Sequence, residues 1–263
     1  MTSTTFPSNP ATTMVPSSHN AIRPQRFSTL LRVELRKLTD TRSGKVLFGS
    51  AVTLTVGLLV WKLFHTSSVP VEFSRYNASV QPAVSLLLPV LGLLAMTSEW
   101  TQRTALTTFT LSPRRLRVFG AKFGAALVLG IGVLLVTVPL SLAATALGGV
   151  IGDGATYANA GGEIRATVIA TLLQVVMGAA FGALIPVTAA ALGAFFAAPT
   201  VWAAFAPEVL KDNSRWLDIF EAYDRLASNH PTHHLAQTLT AIAAWVLLPA
   251  AIGLYRSVRR EVK

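Results

Sequence analysis

EWTQRTALTTFTLSPRRLRVFGAK, Glu99 to Lys122, sets five basic residues and one acid between two long stretches that carry no charge. The bases are Arg103, Arg114, Arg115, Arg117 and Lys122; the acid is Glu99. A compact basic loop between two apolar segments marks the cytoplasmic side of a membrane protein. The composition agrees. Only 13% of the 263 residues are charged and 52% are hydrophobic, whereas a soluble domain carries about 25% charged residues.

Working outward from the loop, no Asp, Glu, Lys or Arg occurs in Val46 to Trp61, Asn77 to Ser98, Phe123 to Gly152, Ala166 to Pro207 or Leu226 to Tyr255. A span needs roughly 20 apolar residues, and a central charge costs on the order of 2.5–3.5 kcal/mol on insertion scales. The run from Ala166 to Pro207 would be about 63 Å long as one helix, against a hydrocarbon core of roughly 30 Å. It must fold back, and Pro186 in GALIPVTA is the expected break. Six spans result, at about 46–64, 80–97, 118–147, 166–184, 187–205 and 235–255.

The net charge of +10 raises the question of nucleic-acid binding. Its distribution gives another answer. With the N-terminus inside and six spans threaded, sixteen basic residues fall on the inner side and six on the outer, while eight of the acids fall outside. That is the positive-inside pattern, and it accounts for the basicity without any nucleic acid. Both termini are expected in the cytoplasm, with the chain multi-pass in the plasma membrane. There is no cysteine, which excludes disulfides and thiolate chemistry. The first apolar run begins at Val46, too late for a usual cleavable leader.

The expected fold is an all-α integral membrane protein of six transmembrane helices behind an amphipathic elbow helix. Residues 1–26 are rich in Ser, Thr, Pro and Asn and read as a disordered cytoplasmic tail. In 27–44, Phe27, Leu31, Leu35 and Leu38 stack on one helix face, leaving Arg32, Glu34, Arg36 and Lys37 for the others. Ser28 or Thr29 is the expected cap and Gly44 the expected end. A basic amphipathic helix ahead of a span reads as interfacial. The transmembrane domain covers 45–256 and a cytoplasmic tail 257–263. Pro139 lies inside the third span and should bend it. Trp216, Leu217, Ile219, Phe220 and Tyr223 predict a short amphipathic helix resting at the outer interface.

Within the central loop, Ser112 and Pro113 read as a cap and a first helical residue. Thr101 to Leu111 is then a separate short element with an apolar ridge of Leu106, Phe109 and Leu111. Such a ridge with polar rims suits the groove of another protein. The other reading is a topogenic loop whose arginines meet only anionic lipid headgroups.

This stretch resembles the first cytoplasmic loop of ABC-2 type transporter permeases. In that family the second span ends at a glutamate, matched by Glu99. A coupling helix follows, matched by Thr104, Leu106, Phe109 and Leu111, and then a proline with basic residues, matched by Pro113, Arg114, Arg115 and Arg117. The elbow with its ELRK, Glu34 to Lys37, and the six-span plan extend the resemblance over most of the chain. Arg103 departs from it, since the family often has Gly before the Thr. The resemblance implies a membrane subunit of a bacterial ABC exporter that pairs with a second permease copy or paralogue. It also implies that two ATPase subunits bind beneath and hold the ATP and Mg. Arg103, Thr104, Leu106, Phe109 and Leu111 would couple to the ATPase, and Arg114, Arg115 and Arg117 would fix the basic loop on anionic lipid or on acidic ATPase residues. The uncharged spans suggest a lipophilic, amphiphilic or peptide-like cargo rather than a small ion that needs intramembrane carboxylates. The alternative is a non-catalytic multi-span protein of immunity or scaffold type, coupled to no ATPase.

The chain should not be an enzyme. A P-loop needs G-x-x-x-x-G-K-[ST], and the one Gly-Lys pair, Gly44 and Lys45, is followed by Val46. No cofactor is therefore expected on this chain. Intramembrane hydrolysis would need ionisable groups within the spans, and the charge-free runs offer none. Gly178 and Gly182 form a GxxxG, which either packs a helix against a neighbour or is chance in a Gly/Ala-rich span. Gln174, an amide in mid-span, can bond a neighbouring helix or line a pathway. His230, His233 and His234 in HPTHH could approach a metal, but Pro231 breaks their spacing and no carboxylate supports the rings nearby, so no metal site is expected.

Overall fold

The computed structural model describes residues 26–65, 70–101, 115–228 and 233–259. The chain is a multi-span helical membrane protein. Six of its helices are long and apolar enough to cross a membrane: Arg42–Phe64, Phe73–Ser98, Leu116–Ile151, Ala160–Leu184, Thr188–Trp216 and Leu235–Ser257. Each corresponds to one expected span and runs longer than it. A helix continues into polar sequence as long as its backbone bonds persist, so hydropathy marks the apolar middle and not the ends.

The first helix, α1 (Phe27–Asp40), buries Leu30, Glu34 and Leu38. Two expectations change here. Arg26 precedes the helix with no side-chain cap; Ser28 and Thr29 lie in its first turn, because Phe27 is already helical and rests at Gly120. The helix ends at Asp40, not at Gly44. Thr41 is extended (φ −70°, ψ 148°), and its hydroxyl oxygen accepts from the Gly44 N–H to cap α2 (Arg42–Phe64). Gly44 thus opens the second helix. A Cβ there would overlap the Leu38 carbonyl oxygen, so only glycine lets the two helices meet this closely.

On α2, Ala51, Thr55 and Leu59 repeat every four residues and form its buried stripe; Leu54, Val56, Val60 and Trp61 are exposed, as suits a lipid-facing helix. Next come β1 (Val71–Glu72) and α3 (Phe73–Thr101). Then α4 (Arg115–Ile151) runs through Pro139 without interruption. β2 (Ala155–Thr156) pairs in parallel with β1, Val71 opposite Ala155 and Glu72 opposite Thr156. This two-residue ladder ties together the two loops at the end of the bundle remote from α1.

The helix α5 (Ala160–Leu184) stops at Ile185, and α6 (Thr188–Leu210) starts after Val187. Pro186 sits in the break, where the 42-residue run was expected to fold back. A 3-10 turn (Lys211–Trp216) leads to α7 (Ile219–Ala227), capped by the Asp218 carboxylate, which accepts from the N–H groups of Phe220 and Glu221 at 2.9 and 3.2 Å. The last rod is α8 (Leu235–Ile242), a π turn (Ala243–Leu247) and α9 (Leu248–Arg259). Pro249 has no N–H for the carbonyl of Trp245 four residues back, and the preceding turn widens to π. Helix persists to Arg259, three residues into the expected tail.

The packing centres on α3, the most enclosed of the six spans. It lies directly on α5. A Cβ at Gly92 would fall on the Val175 carbonyl, one at Gly178 on the Pro89 carbonyl, and one at Gly182 would lie 2.6 Å from the Leu93 carbonyl. These glycines bring two backbones together, the close approach on which helix association in lipid depends. Farther from α1, Asn77 and Gln81 of α3 both donate to the Thr167 hydroxyl oxygen of α5, at 2.8 and 3.0 Å.

Candidate functional site

Near the α1 end of the bundle, three helices meet around one ammonium group. Lys122 of α4 is 3.0 Å from the Glu34 carboxylate of α1 and donates to the Ala95 carbonyl of α3 at 3.1 Å. Lys37 approaches the other oxygen of Glu34 at 2.8 Å. The Lys122 and Glu34 side chains are only 3% and 7% exposed, while Lys37 is partly open to solvent. Two cations on one carboxylate, and a carbonyl on the buried cation, satisfy charges that would be strongly penalised alone.

The local sequence explains why these groups meet. Glu34 lies three residues after Leu31 and four before Leu38, on the same face of α1. The expectation that Glu34 serves another face is therefore corrected. The periodicity that stacked the leucines also places this carboxylate among them. Lys122, counted at first with the loop, stands in the GAKFGAA stretch of α4, where Gly120 and Gly124 admit Phe27 and Leu31 of α1. Leu31, Leu35 and Leu38 pack with Ala125 and Ala126. Part of the elbow's apolar ridge thus turns towards protein; Phe27 remains 48% exposed.

The joint lies where α3 and α4 approach the segment 102–114 that connects them. Of the coupling and basic-loop residues, Arg103, Thr104, Leu106, Phe109, Leu111 and Arg114 lie outside the described residues, as do Ser112 and Pro113. Arg115 is the first residue of α4, and Arg117 is exposed in its first turn. Gly178 and Gly182 pack on α3, Gly182 at Leu93 and Met96, which bracket Ala95. Gln174 is half-buried on α5.

At the opposite end, the expected short amphipathic helix is present as α7, with Phe220 45% exposed on its outer side. Ile219 and Ala222 are buried in one cluster with Met177, Phe181, Phe195, Ala241 and Val246. The inner side of α7 faces protein, where the small Ala222 lets it approach α5 closely. The indole N–H of Trp245 donates to the Leu217 carbonyl at 2.6 Å, and that of Trp202 to the Ser214 carbonyl at 3.3 Å. The Tyr223 hydroxyl donates to the Met177 sulfur at 3.5 Å, and burial pushes its pKa above the ordinary phenol value. Replacing Trp245 by Phe should leave the Leu217 carbonyl unsatisfied at a cost of about 1–3 kcal/mol. Faster limited proteolysis within residues 211–227 would register that loosening, and an unchanged cleavage rate would contradict it.

His233 and His234 stand edge to face, ring centroids 4.4 Å apart. They line a cleft with Glu221, Asp224, Arg225 and Ser228; His230 lies outside the described residues. Among the described residues no three His, Cys, Asp or Glu side chains converge as metal ligands. Glu221 and Arg225 are paired with each other.

Compared with known protein families and with curated proteins, the chain matches none.

Proposed function

We propose that this chain is the membrane-spanning subunit of an exporter driven by a separate ABC-type ATPase, carrying a lipophilic or peptide-like cargo. The observation that supports this reading is the ion-paired joint of α1, α3 and α4. The two helices that flank segment 102–114 are tied together and to α1 by one buried ammonium group. A partner that moves this segment therefore moves three helices, which is what a transporter without its own nucleotide site needs. The segment carries the Leu106, Phe109 and Leu111 ridge with Arg103 and Thr104 beside it. On this reading the ridge seats in a groove of the ATPase, and ATP and Mg belong to that subunit. Arg114, Arg115 and Arg117 meet acidic ATPase residues or anionic lipid. A second permease copy or paralogue completes the pathway, and both termini are cytoplasmic in the plasma membrane.

Capture from native membranes tests this. The tagged chain should bring down an ABC ATPase, and Leu106→Asp with Phe109→Asp should reduce that capture by about tenfold or more, since anchors of an interface carry most of its energy. The variant should insert at the normal level, because neither residue belongs to a span. Undiminished capture, or no ATPase with the unaltered chain, would favour a multi-span protein of scaffold or immunity type.

A further inference from the structure

We propose that Glu34 and Lys122 form a register pin, positioning residues that fix where α1 crosses α4 and so make α1, α3 and α4 move as one body. The contact surface of α4 carries the argument. Gly120 and Gly124 meet Phe27 and Leu31, and Ala125 and Ala126 are buried in one cluster with Leu38. Against this surface α1 sets Phe27, Leu31, Leu35 and Leu38. A surface of glycine and alanine has few knobs, and dispersion against it is nearly the same one helical turn either way. Thr41 and the close Leu38–Gly44 contact limit the travel of α1; within that range the leucine contacts choose a position along α4 only weakly.

The charged contact has a geometry that can choose. Lys122 must point its ammonium at the Glu34 carboxylate and at the Ala95 carbonyl at once, at 3.0 and 3.1 Å. Moving α1 by a turn of about 5.4 Å would leave a carboxylate and an ammonium, both nearly buried, without each other. The penalty for that is far larger than the difference between two apolar registers. A buried polar pair placed in an otherwise apolar seam is the best-attested device for selecting one register.

The inference deepens the proposed function, because a pinned α1 is what would carry a displacement of segment 102–114 into α2 beyond it. Its test needs only the chain itself. The sequence has no cysteine, so an introduced pair is unique. In vesicles of phosphatidylethanolamine and phosphatidylglycerol, oxidised with copper phenanthroline, Leu31→Cys with Gly124→Cys should cross-link about tenfold faster than Leu31→Cys with Gly120→Cys, since disulfide closure is steep in distance. In a Glu34→Leu, Lys122→Met background the apolar pair keeps α1 packed, and the ratio should fall towards one. In the exchanged background, Glu34→Lys with Lys122→Glu, the ratio should return.

A wild-type ratio retained in the apolar background would overturn the pin and leave the pair a merely structural contact. An exchanged background that inserts but does not recover the ratio would overturn it too. Should the exchanged pair fail to insert, the apolar background alone decides. Failure of the proposed function is read separately, since loss of ATPase capture leaves these ratios untouched.

Discussion

Lys122→Ala should be among the most damaging single substitutions in the described part of the chain. It removes the ammonium from between the Glu34 carboxylate and the Ala95 carbonyl, and leaves Glu34 7% exposed with Lys37 as a partner reaching in from the surface. Breaking a buried pair from one side costs about 3–5 kcal/mol, because the remaining charge stays desolvated. The alanine also leaves a void against the small residues of α4. Thermal unfolding in detergent, followed by loss of the monodisperse peak, should show a large fall in midpoint. The Glu34→Leu, Lys122→Met pair should unfold close to the unaltered protein, because removing both charges removes the desolvation penalty as well. A Lys122→Ala protein as stable as that pair would mean that the ion pair is solvated in solution.

Gly178→Val is the second large effect. A Cβ at Gly178 would overlap the carbonyl of Pro89, a backbone atom inside α3. A flexible side chain could swing aside, but a helix backbone can yield only by moving the helix. Overpacking ordinarily costs about 1–3 kcal/mol, and parting α3 from α5 should bring this variant to the top of that range or beyond. The loss spreads because both Gly92 and Gly182 depend on the same separation. Gly193→Ala is the matching control. Nothing lies within 4 Å of its Cβ position, so the change should be neutral or stabilise by up to about 1 kcal/mol through helix propensity. Yield of folded protein after mild heating separates the two, and equal survival would rule out the close α3–α5 contact.

The GxxxG in α5 shows where reading a sequence stops. Gly178 and Gly182 are as easily chance as contact in a span rich in glycine and alanine, and only the partner's backbone distinguishes the two. Gly92, which presses on α5 from the other side, carried no motif. The same limit applies to α7. Trp216, Leu217, Ile219, Phe220 and Tyr223 announced an amphipathic helix, but an apolar stripe is equally content against lipid or protein. Glu34 was legible in principle, since its spacing from Leu31 and Leu38 fixes its face, although a charge in a basic stretch invites the assumption that it faces water. Its partner was not legible. Nothing local to Lys122 says which of the surrounding groups it will meet.

What the amino-acid sequence determined by itself was the number of spans, the break at Pro186 and the helical class. Each follows from a cost that a segment meets alone: a charge in hydrocarbon, an unsatisfied backbone, a proline without its N–H. What only the tertiary structure decided was which surfaces meet: α1 on α4 through a buried ion pair, α3 on α5 through glycines, and α7 on the bundle through Ile219 and Ala222. Those depend on distances between residues as far apart as Glu34 and Lys122, where several partners satisfy the same local chemistry and only the simultaneous packing of all the helices selects one.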